Sequence, residues 1–395
     1  MAQIINLKPF KSFFKSESIG GIILILCVIL SLIIANSSLG NSFINFLELK
    51  LGFENNYLQL RYPVILWIND GLMAIFFLMV GLEIKRELVE GELSSIKQAT
   101  LPIFAALGGM LVPAAIYFLI DHSAETGHGW GIPMATDIAF AIAILSLLGS
   151  KVPNSLKIFL TALAIVDDLG AILVIAVFYS KEIHIEYLMY AACILALLTA
   201  FNYFGVKKIY FYIIPGIIMW YLIHHSGIHA TIAGVLTAFT IPTNTTDKES
   251  PLEKLEHLLV KPVNFLIMPI FAIANTNIKF ESQMLTNITS GVSMAIICGL
   301  MIGKPLGIVS FSWLSVKLKL SNLPINTKWS QIAGLGLLGG IGFTMSIFIA
   351  LLSFDQPEYQ IQAKFSILIA SVSAGVLGFV ILKFLGKKKG RMILK

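Results

Sequence analysis

The run LTALAIVDDLGAILVI (160–175) sets two adjacent carboxylates, Asp167 and Asp168, in an otherwise apolar stretch that crosses a bilayer if it is helical. The chain around it repeats the pattern. Apolar runs bounded by proline, glycine and charge clusters recur at 18–36, 63–85, 98–120, 127–148, 153–179, 184–204, 208–223, 227–242, 255–276, 289–315, 329–353 and 362–384. They predict an all-α polytopic membrane protein of about twelve transmembrane helices, with the segments at 208–223 and 227–242 short enough to be tilted or partial crossings.

Composition agrees with this reading. Across 395 residues, 57% are hydrophobic and 13% charged, which leaves no water-facing surface for a soluble enzyme, a nucleic-acid-binding domain or a secreted disulfide scaffold of this size. Cys27, Cys193 and Cys298 each lie in an apolar run without metal-ligand spacing, so neither a zinc site nor a disulfide framework is indicated. The lysines before the first apolar run could belong to a signal peptide, but the run is long and lacks a small-residue cleavage site, which favours a retained span.

The net charge of +6 reports orientation. If the N-terminus lies inside, 22 of the 28 Lys and Arg residues fall on inside segments and 5 on outside ones, with Lys304 alone inside a span. That bias supports both the helix count and cytoplasmic termini. The chain 1–395 then reads as one integral membrane domain. It has a cytoplasmic N-terminus (1–17), an outer-face segment (37–62) that forms a short hairpin or a helix on the surface, and a basic cytoplasmic tail (385–395), for which contact with anionic lipid is a secondary role.

Five ionisable groups fall at mid-membrane depth, away from the ends of the predicted spans: Asp70, Asp137, Asp167, Asp168 and Lys304. Unpaired, they would cost roughly 12–18 kcal/mol, as much as the whole stability of a typical domain. They must be satisfied, and four acids against one base leave a negative surplus that packing alone does not explain. Asp167 and Asp168 point about 100° apart on a helix, so one can face a cation while the other meets a partner such as Lys304 or Asp137. Asp70, on another helix, is open to a plain structural bond to a neighbouring backbone.

Asp137 follows Gly129, Gly131, Pro133 and Thr136, and a second interruption comes at Gly334, Gly336, Gly339, Gly340, Gly342 and Thr344. Two Gly/Pro-broken spans in the two halves of a chain point to a midplane site, where freed carbonyls can coordinate a cation. Carboxylates, the Thr136 hydroxyl and such carbonyls are hard oxygen ligands, suited to Na+, Li+ or a proton. A proton and an alkali cation compete for the same oxygens. Lys304 either stabilises an acid by ion pairing or gives up its own proton when the cation enters.

The motifs WINDGLMAIFFLMVGLEIKREL (67–88), ATDIAFAIAILSLLG (135–149), ALAIVDDLGAILVIA (162–176), GIHATIAGV (227–235), IGKPLGI (302–308) and GGIGFTMSIFIA (339–350) strongly resemble the bacterial NhaA-type sodium/proton antiporters. The resemblance runs from the second span to the eleventh. It implies twelve spans and inverted repeats with two interrupted helices crossing at mid-membrane, the arrangement by which that family is known. It implies a secondary antiporter, not an enzyme, without cofactor. Intracellular Na+ or Li+ would leave against external H+, electrogenically and with activation at alkaline pH.

The resemblance places ion binding on Asp167 and Asp168, which would hold the transported Na+, with Thr136 and Asp137 at the crossing and Lys304 as basic partner. A pH-response group would comprise Glu83, Arg86, Glu87, Glu256 and His257, with His229 in addition. Glu253 and Val260 depart from the family pattern, where a basic residue and a histidine are usual, so regulation is the part most open to change. Taken without the resemblance, these charges are solvated helix ends. A homodimer in the bacterial inner membrane, with 37–62 at its contact, is also implied. No nucleic acid partner is expected; membrane lipid is.

Three other classes fit less well. An intramembrane aspartyl protease would need acids in Tyr-Asp and Gly-x-Gly-Asp motifs, which are missing. A proton-coupled carrier of organic solutes would need mid-span arginine or aromatic recognition groups. A cation channel would conduct without proton coupling.

Overall fold

Inside a bilayer every backbone polar group must be satisfied by the chain itself, and a helix does this locally. The computed structural model describes residues 7–55, 59–180, 182–243 and 249–386, and among them helix dominates, with one two-stranded ribbon. Expectations for residues 1–6 and for the end of the basic tail, 387–395, lie outside the described residues.

Helix α1 (Leu7–Ala35) leads to α2 (Gly40–Glu48), the ribbon strands β1 (Lys50–Leu51) and β2 (Tyr62–Pro63), and α3 (Val64–Leu66). A π-helical turn, Trp67–Leu72, joins α3 to α4 (Met73–Val89). Then come α5 (Ile96–Ile120), a 3-10 segment (Gly127–Met134), α6 (Ile138–Leu147), α7 (Asn154–Phe178), α8 (Ile185–Tyr203), α9 (Tyr210–His225) and α10 (Ile232–Thr240). After α11 (Pro251–Pro262) a second π turn (Val263–Ile267) leads into α12 (Met268–Asn275), followed by α13 (Ser282–Asn287). Helix α14 (Gly291–Cys298), a third π turn (Gly299–Gly303), α15 (Lys304–Lys317), α16 (Trp329–Gly339), α17 (Phe343–Ser353) and α18 (Pro357–Leu385) complete the order.

Among the described residues, eight helical segments are long and apolar enough to cross a membrane, and two bent pairs qualify when each is taken together. Helices α16 and α17 meet at 48°, the interruption expected within 329–353. Helix α2 turns 108° from α1, so it leaves the direction of the first span. The segment 37–62 is therefore both a helix and a hairpin, with Lys50 paired to Pro63 and Leu51 to Tyr62. The two remaining predicted crossings are α9 and α10, only 16 and 9 residues long. Helix α8 exposes Tyr187, Met189, Tyr190 and Leu197, an apolar face suited to lipid.

Two of the π turns have a legible cause. Pro269 and Pro305 lack an N–H and clash with the carbonyl four residues back, and the turns Val263–Ile267 and Gly299–Gly303 each end two residues before one of them. The second of these delivers Lys304.

The chain divides into two compact units, Met1–Ile23 with Ser95–Asp167 and Ser282–Lys395, and Leu24–Ser94 with Asp168–Glu281. In the first, α5 and α15 touch backbone to backbone: a Cβ on Gly307 would stand 2.0 Å from the Gly108 carbonyl oxygen. Only glycine permits that approach. In the second, α4 and α10 pack the same way, with the Gly234 Cβ position 2.2 Å from the Ala74 carbonyl oxygen. Around them Leu82, Tyr212, Met219, Ala233 and Ala238 form the apolar core.

Candidate ion-binding site

Within the first unit the two interrupted segments meet at their breaks. The 3-10 segment ends at Met134, Ala135 is extended, and Asp137 caps the start of α6 by accepting from the Phe140 N–H at 3.0 Å. The Asp137 N–H donates to the Ile341 carbonyl at 2.6 Å. Its other carboxylate oxygen accepts from Thr344 twice, from the backbone N–H at 3.1 Å and the hydroxyl at 2.5 Å. One buried carboxylate thus serves the N-termini of both α6 and α17, where helix dipoles present positive charge. Ser371 on α18 completes the second cap by accepting from the Phe343 N–H at 3.1 Å.

The opposite ends of the breaks receive donors. Lys304, wholly buried, donates to the Met134 carbonyl and to Asp167 Oδ2, the latter at 2.6 Å. The Thr136 hydroxyl has a single proton to share between Asp167 Oδ2 at 2.7 Å and the Gly339 carbonyl at 2.9 Å. Carbonyls expected to be free for a cation are therefore occupied: Met134 by the ammonium and Gly339 by the hydroxyl. The physical reason is that a broken helix leaves orphan acceptors at one end and orphan donors at the other, and the chain supplies a base for the first and an acid for the second.

Asp167 is 1% exposed and Asp168, the next residue on α7, 2%. The orientation left open by sequence is settled for Asp167, which is the partner of Lys304. Its Oδ1 is buried with no hydrogen-bond donor among the described residues. A bare carboxylate oxygen beside a lysine-held one is a hard acceptor suited to a small cation or a proton, and unsuited to a thiophilic metal.

In the second unit, Arg86 gathers part of the expected pH-response group. Its guanidinium stands 2.7 Å from Glu87 Oε1 and 2.9 Å from Glu256 Oε2. Glu83, on the preceding turn of α4, is buried. Glu87 also accepts from the Glu92 N–H at 2.9 Å. His257 instead pairs with Glu249 at 3.0 Å on an exposed face. Glu253, the departure from the family pattern, forms a capping box with Ser250 that starts α11. Lys85 caps the end of α10 through the Phe239 and Ile241 carbonyls, at 2.8 and 2.6 Å.

His229 belongs to a separate cluster. Its Nδ1 lies 2.9 Å from the Thr231 hydroxyl and its Nε2 3.6 Å from Asp70 Oδ1. Asp70 pairs most closely with His224, at 3.1 Å, so the carboxylate is bonded to side chains and not, as the plain structural reading expects, to a neighbouring backbone. Sequence reasoning leaves His224, Ser371 and the carboxylate contact of Thr344 without a role. A buried acid such as Asp70 demands a partner, but which histidine supplies it depends on α9 lying against the first π turn.

The sequence pattern of the family described as Na+/H+ antiporter 1 matches residues 11–382. A protein named Na+/H+ antiporter NhaA 2, from Flavobacterium johnsoniae, is 64% identical over 98% of this chain and 96% of its own length. A Na+/H+ antiporter NhaA of Flavobacterium psychrophilum is 51% identical over 96% of each chain. One from Yersinia pseudotuberculosis is 47% identical over 94% of this chain and 95% of its own.

Proposed function

The chain belongs to the Na+/H+ antiporter 1 family, and from that premise we propose how its buried charges exchange sodium ions for protons across the membrane. The whole chain works as one transporter domain in the bacterial inner membrane, with both termini cytoplasmic and two copies forming a homodimer. Intracellular Na+ or Li+ leaves and external H+ enters.

Asp167 and Asp168 carry the cation. The observation that supports this best is the buried pair of Lys304 with Asp167 at 2.6 Å, with the second Asp167 oxygen lacking a donor among the described residues. In the cation-free state the ammonium balances Asp167 and a proton balances Asp168. When Na+ arrives, its single positive charge stands in for one of the two that the ammonium and the proton had supplied, and the site emptied of both protons carries one more negative charge than before. The Asp168 carboxyl then loses its proton to become carboxylate, and the Lys304 ammonium can lose one to become amine. Two protons leave for one Na+, so the cycle moves net charge and is electrogenic. Thr136 and Asp137 hold the broken helix ends in place, so that their dipoles do not compete with the ion for Asp167.

Activation at alkaline pH follows from the same competition, because protons at high concentration keep Na+ out. The Arg86 group, with Glu83, Glu87, Glu256 and His257, sets the response on the cytoplasmic side, and His229 on the other.

The test is Na+-driven proton movement in sealed vesicles, native against Asp168→Asn. The native protein acidifies or alkalinises the lumen on addition of Na+ or Li+, and the variant does not. Normal exchange by Asp168→Asn would remove the site assignment; current without proton movement in the native protein would indicate a channel.

A further inference from the structure

A 3-10 coil has poor hydrogen-bond geometry, and runs beyond three or four residues are uncommon. Gly127–Met134 is a run of eight, and it leads to the break at Asp137. The form of the coil decides its reach. Eight residues span about 16 Å as 3-10 helix and about 12 Å as α-helix, so a return to the commoner coil would withdraw Met134 by about 4 Å. That is more than the length of a hydrogen bond, and the Met134 carbonyl is one of the two acceptors that hold Lys304.

Three helices donate to carbonyls along the run. Lys304 of α15 donates to Met134, and Ser346 of α17 to Ile132 at 2.7 Å. At the start of the run Tyr117 of α5, wholly buried, donates to the Thr126 carbonyl at 2.8 Å, which also accepts from the Gly129 N–H at 2.9 Å. Asp121 Oδ2 stands further from the same hydroxyl, at 3.4 Å. The fit is close. A Cβ on Gly129 would lie 2.3 Å from the Tyr117 hydroxyl oxygen and 2.7 Å from Phe354 Cζ.

Helix α5 also meets the far end of the run. The Gly299 Cβ position is 2.6 Å from Pro133 Cβ and 3.5 Å from the Pro113 carbonyl oxygen, and that of Gly303 is 2.8 Å from Pro113 Cα. Pro133, next to Met134, is thus lodged against the third π turn, which α5 backs. One helix grips the run near both ends, through Tyr117 directly and through the π turn.

We propose that Tyr117 is a positioning residue for ion exchange: by pinning the start of the 3-10 run it keeps the Met134 carbonyl against Lys304 and so leaves Asp167 Oδ1 open to the cation. This rests on the exchange at Asp167 proposed above. An ammonium shared between Met134 and Asp167 Oδ2 is drawn to one side of the carboxylate. Without its carbonyl it turns wholly to Asp167, bridges both oxygens and covers the one that Na+ needs. The pin therefore lowers the Na+ concentration at which exchange is half-maximal, and it has no part in the rate once the site is filled.

The experiment compares native protein, Tyr117→Phe and Asp121→Asn as full chains in sealed vesicles, with proton movement followed across Na+ concentrations at one pH. Tyr117→Phe keeps the buried ring and removes only the donor. Its half-maximal Na+ concentration should rise roughly threefold to tenfold, the worth of about one hydrogen bond, while the rate at saturating Na+ per folded protein stays within about twofold of native. Asp121→Asn leaves the bond from Tyr117 to Thr126 in place and should change neither quantity. In purified protein the same shift should appear as a rise in the Na+ concentration that half-protects against thermal unfolding. A tyrosine with a packing role alone would lower folded yield and maximal rate and leave half-saturation unmoved, and that result overturns the pin. So does a half-saturation moved by Asp121→Asn and not by Tyr117→Phe. If the native protein moves no protons on addition of Na+, the proposed function fails and the pin with it. If it does, and Tyr117→Phe saturates as the native protein does, only the pin fails.

Discussion

Lys304→Met and Asp167→Asn each break the same buried pair and should do so with opposite pH dependence. Both side chains are 0% exposed at a separation of 2.6 Å, so either change strands a charge that solvent does not reach, a loss of about 3–5 kcal/mol. The stranded group has one escape, which is to neutralise itself. At pH 7 an ordinary carboxyl takes up a proton for about 4.2 kcal/mol and an ordinary lysine gives one up for about 4.6 kcal/mol. Those ceilings lie within the expected loss, and they move in opposite directions. Each unit of acidification relieves Lys304→Met by about 1.4 kcal/mol, and each unit of alkalinisation relieves Asp167→Asn by the same. The double variant strands nothing and recovers most of the loss. The assay is the thermal unfolding midpoint of purified protein in detergent, from about pH 6 to about pH 9, at one scan rate. With about 2–4 °C per kcal/mol for a body of a couple of hundred residues, each single variant falls by roughly 6–20 °C at neutral pH. Single variants within about 2 °C of native, parallel pH trends, or a double variant worse than either single would refute the reasoning.

Three further outcomes are expected. Gly307→Ala puts a methyl 2.0 Å from the Gly108 carbonyl oxygen, so α5 and α15 must separate, at about 1–3 kcal/mol or more; the midpoint falls, and the Na+ concentration for half-maximal exchange rises because Lys304 shifts with α15. Glu253→Gln preserves the capping box and should leave stability and pH profile unchanged, whereas Glu253→Lys loses about 0.5–2 kcal/mol without moving the profile; a moved profile in the Gln variant would make Glu253 regulatory. Burial, and then the neighbouring Glu87, raise the pKa of half-buried Glu92 above the usual carboxylate range. Folding is therefore favoured by protonation of Glu92, and that contribution fades as pH rises from the ordinary carboxylate range through the raised value. Glu92→Gln should accordingly raise the midpoint at neutral pH and not in acid, and equal effects at both would contradict this.

Much of the fold is legible because a bilayer leaves few alternatives. The interrupted pair at 329–353 follows from its glycines and is found as α16 and α17, since glycine and proline weaken a helix wherever they stand. The shortness of α9 and α10 is visible for a similar reason, in the small distance between the charges and glycines that bound them. The π turns before Pro269 and Pro305 are not anticipated by the apolar pattern, although their cause is local. The segment 37–62 reads as helix or hairpin and is both, because it is long enough for each in turn.

Sequence alone determined that this chain crosses a membrane many times and that five ionisable groups at mid-membrane depth need partners, because the penalty for a charge among apolar residues depends on composition and not on arrangement. It also determined where the helices break. Only tertiary structure decided who partners whom: Asp167 and not Asp168 with Lys304, Asp137 with two helix ends at once, Asp70 with His224. Adjacent residues on a helix point about 100° apart, so a partner is chosen by which neighbouring helix packs against which face, and glycine contacts such as Gly108 with Gly307 set that choice far along the chain from the acids they serve.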